Sequence, residues 1–192
     1  MKKIGLTGGI GAGKSIVARV FATMGFPVFY SDIAGKELLS QNESVKKKVI
    51  EIFGTSVYNN GELNRTYLAE KIFSDISLKQ ELNNIVHPAV RDYFSDWASK
   101  QNSPIVFNEA AILFETGSYK HFDFNILISA PKSIRFERVM KRDNLTKSDV
   151  EARMKAQWSD EKKRHLANFE IVNDDKQLLI PQIEKVLKSI EK

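Results

Sequence analysis

Residues 8–15, GGIGAGKS, have the composition and spacing of a phosphate-binding loop. They match the pattern G-x-x-x-x-G-K-[ST] and stand between a short apolar run and a helical pattern. Glycines let backbone N–H groups turn towards an anion, and the N-terminus of the following helix also favours negative charge. We therefore predict that the loop binds a nucleotide, with Lys14 on the β- and γ-phosphates and Ser15 on a Mg²⁺ held largely through phosphates and water. The predicted phosphate-binding residues are Gly8, Gly9, Ile10, Gly11, Ala12, Gly13, Lys14 and Ser15.

Two acidic residues follow apolar runs that are typical of buried strands. Asp32 comes after residues 27–30, PVFY, and could accept the proton of an attacking hydroxyl group, a role that is largely one of orientation in phosphoryl transfer. The alternative is that Asp32 only caps the N-terminus of the next helix. Glu109 follows residues 104–107, PIVF, and could reach a magnesium-bound water or the acceptor; the alternative is a solvated loop carboxylate.

Basic residues further along the chain are also candidates. Arg138 and Arg142 are one helical turn apart, so they could share a face and neutralise a transferred phosphoryl group, or form surface salt bridges only. His87 precedes Pro88. A residue before proline is usually extended and a proline can begin a helix, so a helix boundary alone would explain this pair without a chemical role.

The elements needed to position these residues alternate along the chain. Short strands are predicted at residues 2–7, 27–30, 104–107, 122–129 and 169–173, with helices between them, which indicates an α/β fold with a parallel sheet flanked by helices. Residues 44–100 are helical in pattern, with their clearest break at Gly54 to Gly61. Residues 142–166 are dense in charge and poor in large apolar side chains, which is typical of a mobile helical lid.

The composition fits one soluble enzyme-sized domain. A chain of 192 residues with 42% hydrophobic and 28% charged residues can form a single α/β core. The net charge of +5 is interleaved with acids rather than gathered in a block, so we expect no nucleic-acid partner. No membrane-spanning or signal segment is expected, and the absence of cysteine fits the cytoplasm.

The order of the motifs resembles the dephospho-coenzyme A kinase family nearly end to end. The loop and Asp32 are followed by HPAVR at residues 87–91 and ILFE at 112–115. The series is completed by Asp123, RVMKRD at 138–143, RMKAQ at 153–157 and Asn173.

The resemblance implies a P-loop NTPase fold of the nucleotide-kinase type that transfers the ATP γ-phosphoryl group to the ribose 3′-hydroxyl of dephospho-coenzyme A. It implies a core at about 1–32, 101–139 and 167–192, a helical acceptor-binding region at about 33–100 and a lid at about 140–166. ATP, Mg²⁺ and dephospho-coenzyme A are the expected ligands, and a monomer or small homo-oligomer is the expected state. The implied catalytic residues are Lys14, Asp32, Arg138 and Arg142. Arg142 and Asn173 are also implied to bind ATP. The implied acceptor-binding residues are Asp32, Lys36, His87, Arg91 and Glu109.

The chain departs from the family pattern at three of these places. Tyr30 stands where an aspartate is common, Lys36 where an arginine is common, and Glu109 where an aspartate is common. Lys36 keeps the charge but loses the bidentate fork of arginine. Two alternatives remain: a kinase of a nucleoside monophosphate or polyol, and a GTPase-type switch, although Asp32 follows Lys14 too closely to leave room for a switch loop.

Overall fold

The structure, a computed structural model, describes all 192 residues and divides them into two units. The core unit consists of Met1–Phe29 and Gln101–Lys192, and the helical unit consists of Tyr30–Lys100. No helix in either unit has the length and apolar character needed to cross a bilayer.

A five-stranded parallel sheet is the centre of the core unit. Its strands are β1 (Lys2–Thr7), β2 (Val28–Tyr30), β5 (Ile105–Glu109), β6 (Phe124–Ser129) and β7 (Phe169–Val172), and their order across the sheet is β2-β5-β1-β6-β7. Strand β1 lies between β5 and β6, and every residue of β5 is buried. The predicted parallel α/β sheet is therefore confirmed.

Helices flank the sheet, and the first of them is fixed to it by aromatic packing. The core-unit helices are α1 (Lys14–Thr23), α6 (Lys132–Asp143), α7 (Lys147–Lys155), α8 (Asp160–Arg164) and α9 (Leu179–Glu191). The ring of Phe21 on α1 stacks on Phe107 of β5 with 3.9 Å between centroids. This contact packs the C-terminal half of α1 against the middle of β5. The start of α1 follows the loop after β1, at the carboxyl end of that strand, where open α/β sheets bind ligands.

The helical unit contains α2 (Ser31–Gln41), α3 (Glu43–Phe53), α4 (Arg65–Ser74) and α5 (Ile76–Ser99). Its core is formed by apolar side chains from α3, from α4 and from the connection between them, namely Val45, Val49, Phe53, Val57 and Leu68. The predicted break at Gly54 to Gly61 contains a short 3-10 turn. This turn leads directly into a hairpin of β3 (Tyr58–Asn59) and β4 (Glu62–Leu63). Asn60 and Gly61 form its turn with φ of 50° and 83°, as hairpin turns of this length require.

Pro88 lies inside helix α5, so the prediction that His87 and Pro88 mark a helix boundary is wrong. A proline within a helix leaves the carbonyl four residues earlier without its hydrogen bond. Here that carbonyl belongs to Asn84, and both Asn84 and Pro88 are exposed. Water can therefore replace the missing bond, and the helix continues through the proline.

Candidate active site

The phosphate-binding loop joins β1 to α1 and is packed so closely that its glycines have no room for a side chain. A Cβ atom on Gly8 would lie 2.3 Å from the carbonyl oxygen of Ile128, and one on Gly13 would lie 2.1 Å from Asn173 Nδ2. Gly13 is the N-cap of α1 with a left-handed φ of 93°. This geometry places the N-terminus of α1 at the loop, and the N-terminus of a helix favours a bound anion.

Lys14 and Ser15 occupy the first turn of α1, as the pattern requires. Lys14 Nζ donates to the carbonyl oxygen of Gly8 at 3.0 Å, so the ammonium group lies across the loop. Ser15 is exposed, which leaves its side chain accessible to a ligand. The chain has no cluster of three or more histidine or acidic side chains that could hold a metal ion.

Arg138 and Asn173 both contact the loop. Asn173 is buried after the end of β7, and its Nδ2 donates to the carbonyl oxygen of Ala12 at 2.9 Å. Arg138 Nη1 donates to the carbonyl oxygen of Gly11 at 3.4 Å, and its Nη2 reaches Asn173 Oδ1 at 3.4 Å and pairs with Asp175. The structure therefore brings these two predicted residues to the phosphate-binding loop.

Arg142 does not join Arg138 there. Its Nε and Nη2 donate to the two carboxylate oxygens of Asp143 at 2.7 and 3.0 Å, and its side chain is exposed. Arg153 donates to the same carboxylate, and the hydrogen bond from Arg142 holds the pKa of Asp143 below its usual value. In this structure Arg142 forms the surface ion pair that was the alternative interpretation of the two arginines.

Glu109 is the last residue of β5 and is buried, so the alternative of a solvated loop carboxylate is wrong. The sheet register places Glu109 opposite Leu6, and the N–H of Ala110 donates to the Leu6 carbonyl at 3.0 Å. Leu6 is two residues before Gly8. The carboxylate of Glu109 therefore belongs to the strand end beside the start of the loop.

Asp32 lies in the first turn of α2 in the helical unit, where the N-cap is Tyr30. The interpretation of Asp32 as the helix cap is therefore wrong, although a carboxylate in the first turn still interacts favourably with the helix dipole. Asp32 and Lys36 are four residues apart and both exposed, so they share one face of α2.

His87 and Arg91 form a similar pair on α5. Gly35 of α2 meets this helix at Val86 and Val90, whose side chains would lie 3.6 Å from a Cβ on the glycine. His87 and Arg91 each follow one of these valines, so they flank the same helix crossing. Burial lowers the pKa of the half-buried His87 imidazole, whereas Arg91 is exposed and lies 4.0 Å from Asp92.

Sequence reasoning missed a buried arginine at the loop. Arg135 Nε donates to the carbonyl oxygen of Ile10 at 3.0 Å, and its Nη1 pairs with Asp160 at 2.9 Å. Its position three residues before Arg138 on the same helix was the available signal, because such residues are neighbours on a helix surface.

Comparison with known proteins matches this chain to one enzyme family. The family model described as dephospho-CoA kinase matches residues 2–178. A dephospho-CoA kinase of Bacteroides fragilis is 38% identical over 186 residues, which cover 96% of this chain and 91% of that protein.

Two solved structures are similar over nearly the whole chain. One from Thermus thermophilus has a TM-score of 0.84 and 33% identity and covers 98% of this chain and 95% of its own. A dephospho-CoA kinase from Campylobacter jejuni has a TM-score of 0.68 and 26% identity with the same coverage. These matches agree with the resemblance seen in the motifs, and the chain belongs to the dephospho-CoA kinase family.

Proposed function

We propose that this protein transfers the γ-phosphoryl group of ATP to the ribose 3′-hydroxyl of dephospho-coenzyme A and so forms coenzyme A and ADP, the last step of coenzyme A synthesis. The observation that carries the proposal is the family match over residues 2–178, which spans both units of the chain. The geometry of the phosphate-binding loop supports it, because the loop presents backbone donors and a lysine to a polyphosphate.

The core unit would hold the donor. The N–H groups at the start of α1 would bind the phosphates, and Lys14 would leave the Gly8 carbonyl to neutralise the β- and γ-phosphates. Arg138 is already at the loop and would stabilise the charge that spreads over the transferred group. Arg142 would join it only after giving up its ion pair with Asp143.

Asp32 would act on the acceptor hydroxyl. In the transfer, the ribose O3′ forms a bond to the γ-phosphorus while the bond from that phosphorus to the bridging oxygen breaks, and the electron pair stays with ADP. The proton of the hydroxyl goes to the Asp32 carboxylate. Because the transition state is loose, orientation of the hydroxyl is the larger part of this role.

The remaining acceptor contacts would come from Lys36, His87, Arg91 and Glu109. Lys36 and Arg91 offer exposed cations, and the buried Glu109 would contribute a carboxylate at the carboxyl end of β5. His87 would present a neutral imidazole near pH 7, because burial lowers its pKa. A neutral imidazole can bind a hydroxyl or amide but adds no charge for phosphate. Asn173 would lie towards the nucleotide base, next to the loop that it already contacts.

A magnesium ion fits the donor atoms at the loop. Mg²⁺ is commonly held by one or two protein oxygens together with substrate phosphates and water, and the exposed Ser15 supplies such an oxygen. When bound, the ion would offset charge on the phosphates.

The direct test is acceptor-dependent release of ADP by the purified protein. With Mg-ATP we expect rapid ADP release only when dephospho-coenzyme A is present, with one coenzyme A formed for each ADP. Nucleoside monophosphates, shikimate and simple polyols serve as competing acceptors. No turnover of dephospho-coenzyme A together with rapid turnover of one of these would overturn the proposal.

A further inference from the structure

Residues 157–163, which we call the strap, are joined to the core of the fold at both ends. At the first end, Gln157 Oε1 accepts the N–H of Ile10 in the phosphate-binding loop at 2.8 Å. At the other end, Lys163 Nζ pairs with Glu115 Oε1 at 2.9 Å, and that oxygen also accepts the N–H of Trp158 at 3.0 Å. Gln157 ends the motif RMKAQ and Glu115 ends the motif ILFE, and neither has a part in the reaction proposed above.

The carbonyl of Ile10 is held as well, by a side chain that also reaches the strap. Arg135 Nε donates to that carbonyl at 3.0 Å, while its Nη1 pairs with Asp160 in the strap at 2.9 Å. Both side chains of this ion pair are largely buried. The two polar backbone groups of Ile10 are therefore fixed by Gln157 and Arg135, and both connect to the strap.

The glycines beside Ile10 leave this part of the loop little freedom to move. A Cβ on Gly9 would lie 2.2 Å from Arg135 Nη2, and a Cβ on Gly11 would lie 2.5 Å from the Arg135 carbonyl oxygen. The loop thus lies directly against α6 on this side. Donors that are already in place when a ligand arrives bind it more tightly than donors that must be ordered first.

The anchor at the far end of the strap is unusually well buried. Lys163 is completely buried and the side chain of Glu115 is 13% exposed. A buried ion pair contributes little net stability against apolar replacements, but it fixes the relative position of the two segments that carry it. Here those segments are the loop after β5 and the strap.

We infer that Gln157 is a positioning residue for the phosphate-binding loop, held in place by the anchor that Glu115 and Lys163 form at the other end of the strap. The inference rests on the proposed function, because it assumes that the loop binds ATP. The bond from the Ile10 N–H to Gln157 holds the loop backbone in one conformation. In that conformation the backbone donors at the start of α1 are positioned to bind the phosphates.

The test compares Gln157→Leu with Lys155→Met. Leucine keeps much of the volume of glutamine but removes the acceptor oxygen. Lys155 is exposed, two residues earlier and outside the strap. Loss of one hydrogen bond of about 1 kcal/mol predicts ATP binding roughly fivefold to tenfold weaker in Gln157→Leu. We expect KM for ATP to rise in parallel and KM for dephospho-coenzyme A to stay unchanged. The thermal midpoint should fall by only a few degrees, because the Ile10 N–H loses its partner in the folded protein. Lys155→Met should bind ATP like the wild type.

ATP affinity is measured by calorimetry without any acceptor, so this test does not depend on the identity of the acceptor. Wild-type protein that binds ATP but fails to phosphorylate dephospho-coenzyme A would overturn the proposed function alone. Gln157→Leu that binds ATP as tightly as the wild type, or more tightly, would overturn the role of Gln157.

A measurement on the unmodified chain covers the case in which Gln157→Leu does not fold. Amide hydrogen exchange at Ile10 should be slow in the free protein and remain slow when ATP is bound. Exchange at Ile10 as fast as that of an exposed amide would contradict the inference.

Discussion

The residues proposed to bind the donor and those proposed to bind the acceptor are presented in different ways. In the core unit the phosphate-binding loop is enclosed, and would-be Cβ atoms on four of its glycines meet neighbouring atoms at 2.1–2.5 Å. In the helical unit the candidate side chains Asp32, Lys36 and Arg91 stand on exposed helix faces. The first group depends on backbone shape and the second on individual side chains. Substitutions in the first group should therefore abolish donor binding, and substitutions in the second should change turnover or acceptor binding only.

The largest effect is expected for Gly13→Ala. The added methyl group would require a left-handed φ of 93° and would meet Asn173 Nδ2, which is buried and bonded to the loop. A displaced loop would lose hydrogen bonds from its backbone N–H groups to the charged phosphates, each of about 1.5–3 kcal/mol. We therefore expect ATP affinity measured by calorimetry to fall on the order of 100-fold or more.

Gly25→Ala is the matched control for that substitution. Gly25 has nearly the same φ, 91°, but no atom lies within 4 Å of its would-be Cβ. It should cost about 1–2 kcal/mol of folding stability and leave ATP affinity unchanged. Equal losses of ATP affinity in both variants would show that backbone strain, and not the enclosure of the loop, is responsible.

Asp32→Asn should lower turnover by about 100-fold or more, the range in which a general base contributes, while ATP affinity stays near the wild-type value. Glu37→Gln, on the same helix and also exposed, should retain wild-type turnover. Steady-state kinetics measure turnover, and titration with ATP measures ATP affinity. If turnover of Asp32→Asn stays within a factor of two of wild type, the carboxylate serves only the helix dipole.

Lys163→Met tests how far the packing of the core unit depends on its buried anchor. Removal of the ammonium leaves Glu115 without its partner in a largely buried place, which should lower the free energy of unfolding by about 3 kcal/mol. Urea denaturation measures this difference. The double variant Glu115→Gln with Lys163→Met should recover much of the lost free energy of unfolding, because no unpaired buried charge remains. The control Lys155→Met should have almost no effect on stability. If Lys163→Met alone were as stable as the wild type, the packing of the core unit would not depend on the Glu115–Lys163 pair.

The smallest effect is expected at His87. Its pKa is lowered by burial in the folded state, so as pH falls below the ordinary value of 6.5 the unfolded chain takes up a proton first. Stability should therefore be complete above that pH and decline below it. Urea midpoints between about pH 5.5 and about pH 7.5 should show this decline in the wild type and a weaker one in His87→Gln. An identical slope in both proteins would argue against a buried neutral imidazole.

The sequence predicted those parts of the site that are local in the chain. The loop pattern is contiguous, and the alternation of strands and helices predicted the parallel sheet that the structure confirms. The family assignment is likewise confirmed by the comparisons. The roles of the individual site residues, the lid at about 140–166 and the domain boundaries stay predictions, as do the oligomeric state, the cytoplasmic location and the lack of a nucleic-acid partner.

Contacts between distant segments could not be predicted in the same way. Arg135 and Gln157 reach Ile10 only because the fold brings α6 and the strap beside the loop. The spacing of Arg135 from Arg138 and the place of Gln157 in RMKAQ mark the two residues in the sequence, but neither feature identifies Ile10 as their partner. Pro88 was misjudged for a related reason. Whether a proline ends a helix depends on whether the freed carbonyl finds water, and that depends on the exposure of Asn84 in the folded chain.

The helical unit is one uninterrupted stretch, Tyr30–Lys100, that leaves the sheet after β2 and returns at β5, its neighbour in the sheet. Four of the five side chains proposed to contact the acceptor lie within it, and the loop proposed to bind ATP lies wholly outside it. The gene segment for acceptor choice is thus a single cassette. Recombination or design could exchange that cassette for another helical insert while the donor machinery keeps its own sequence.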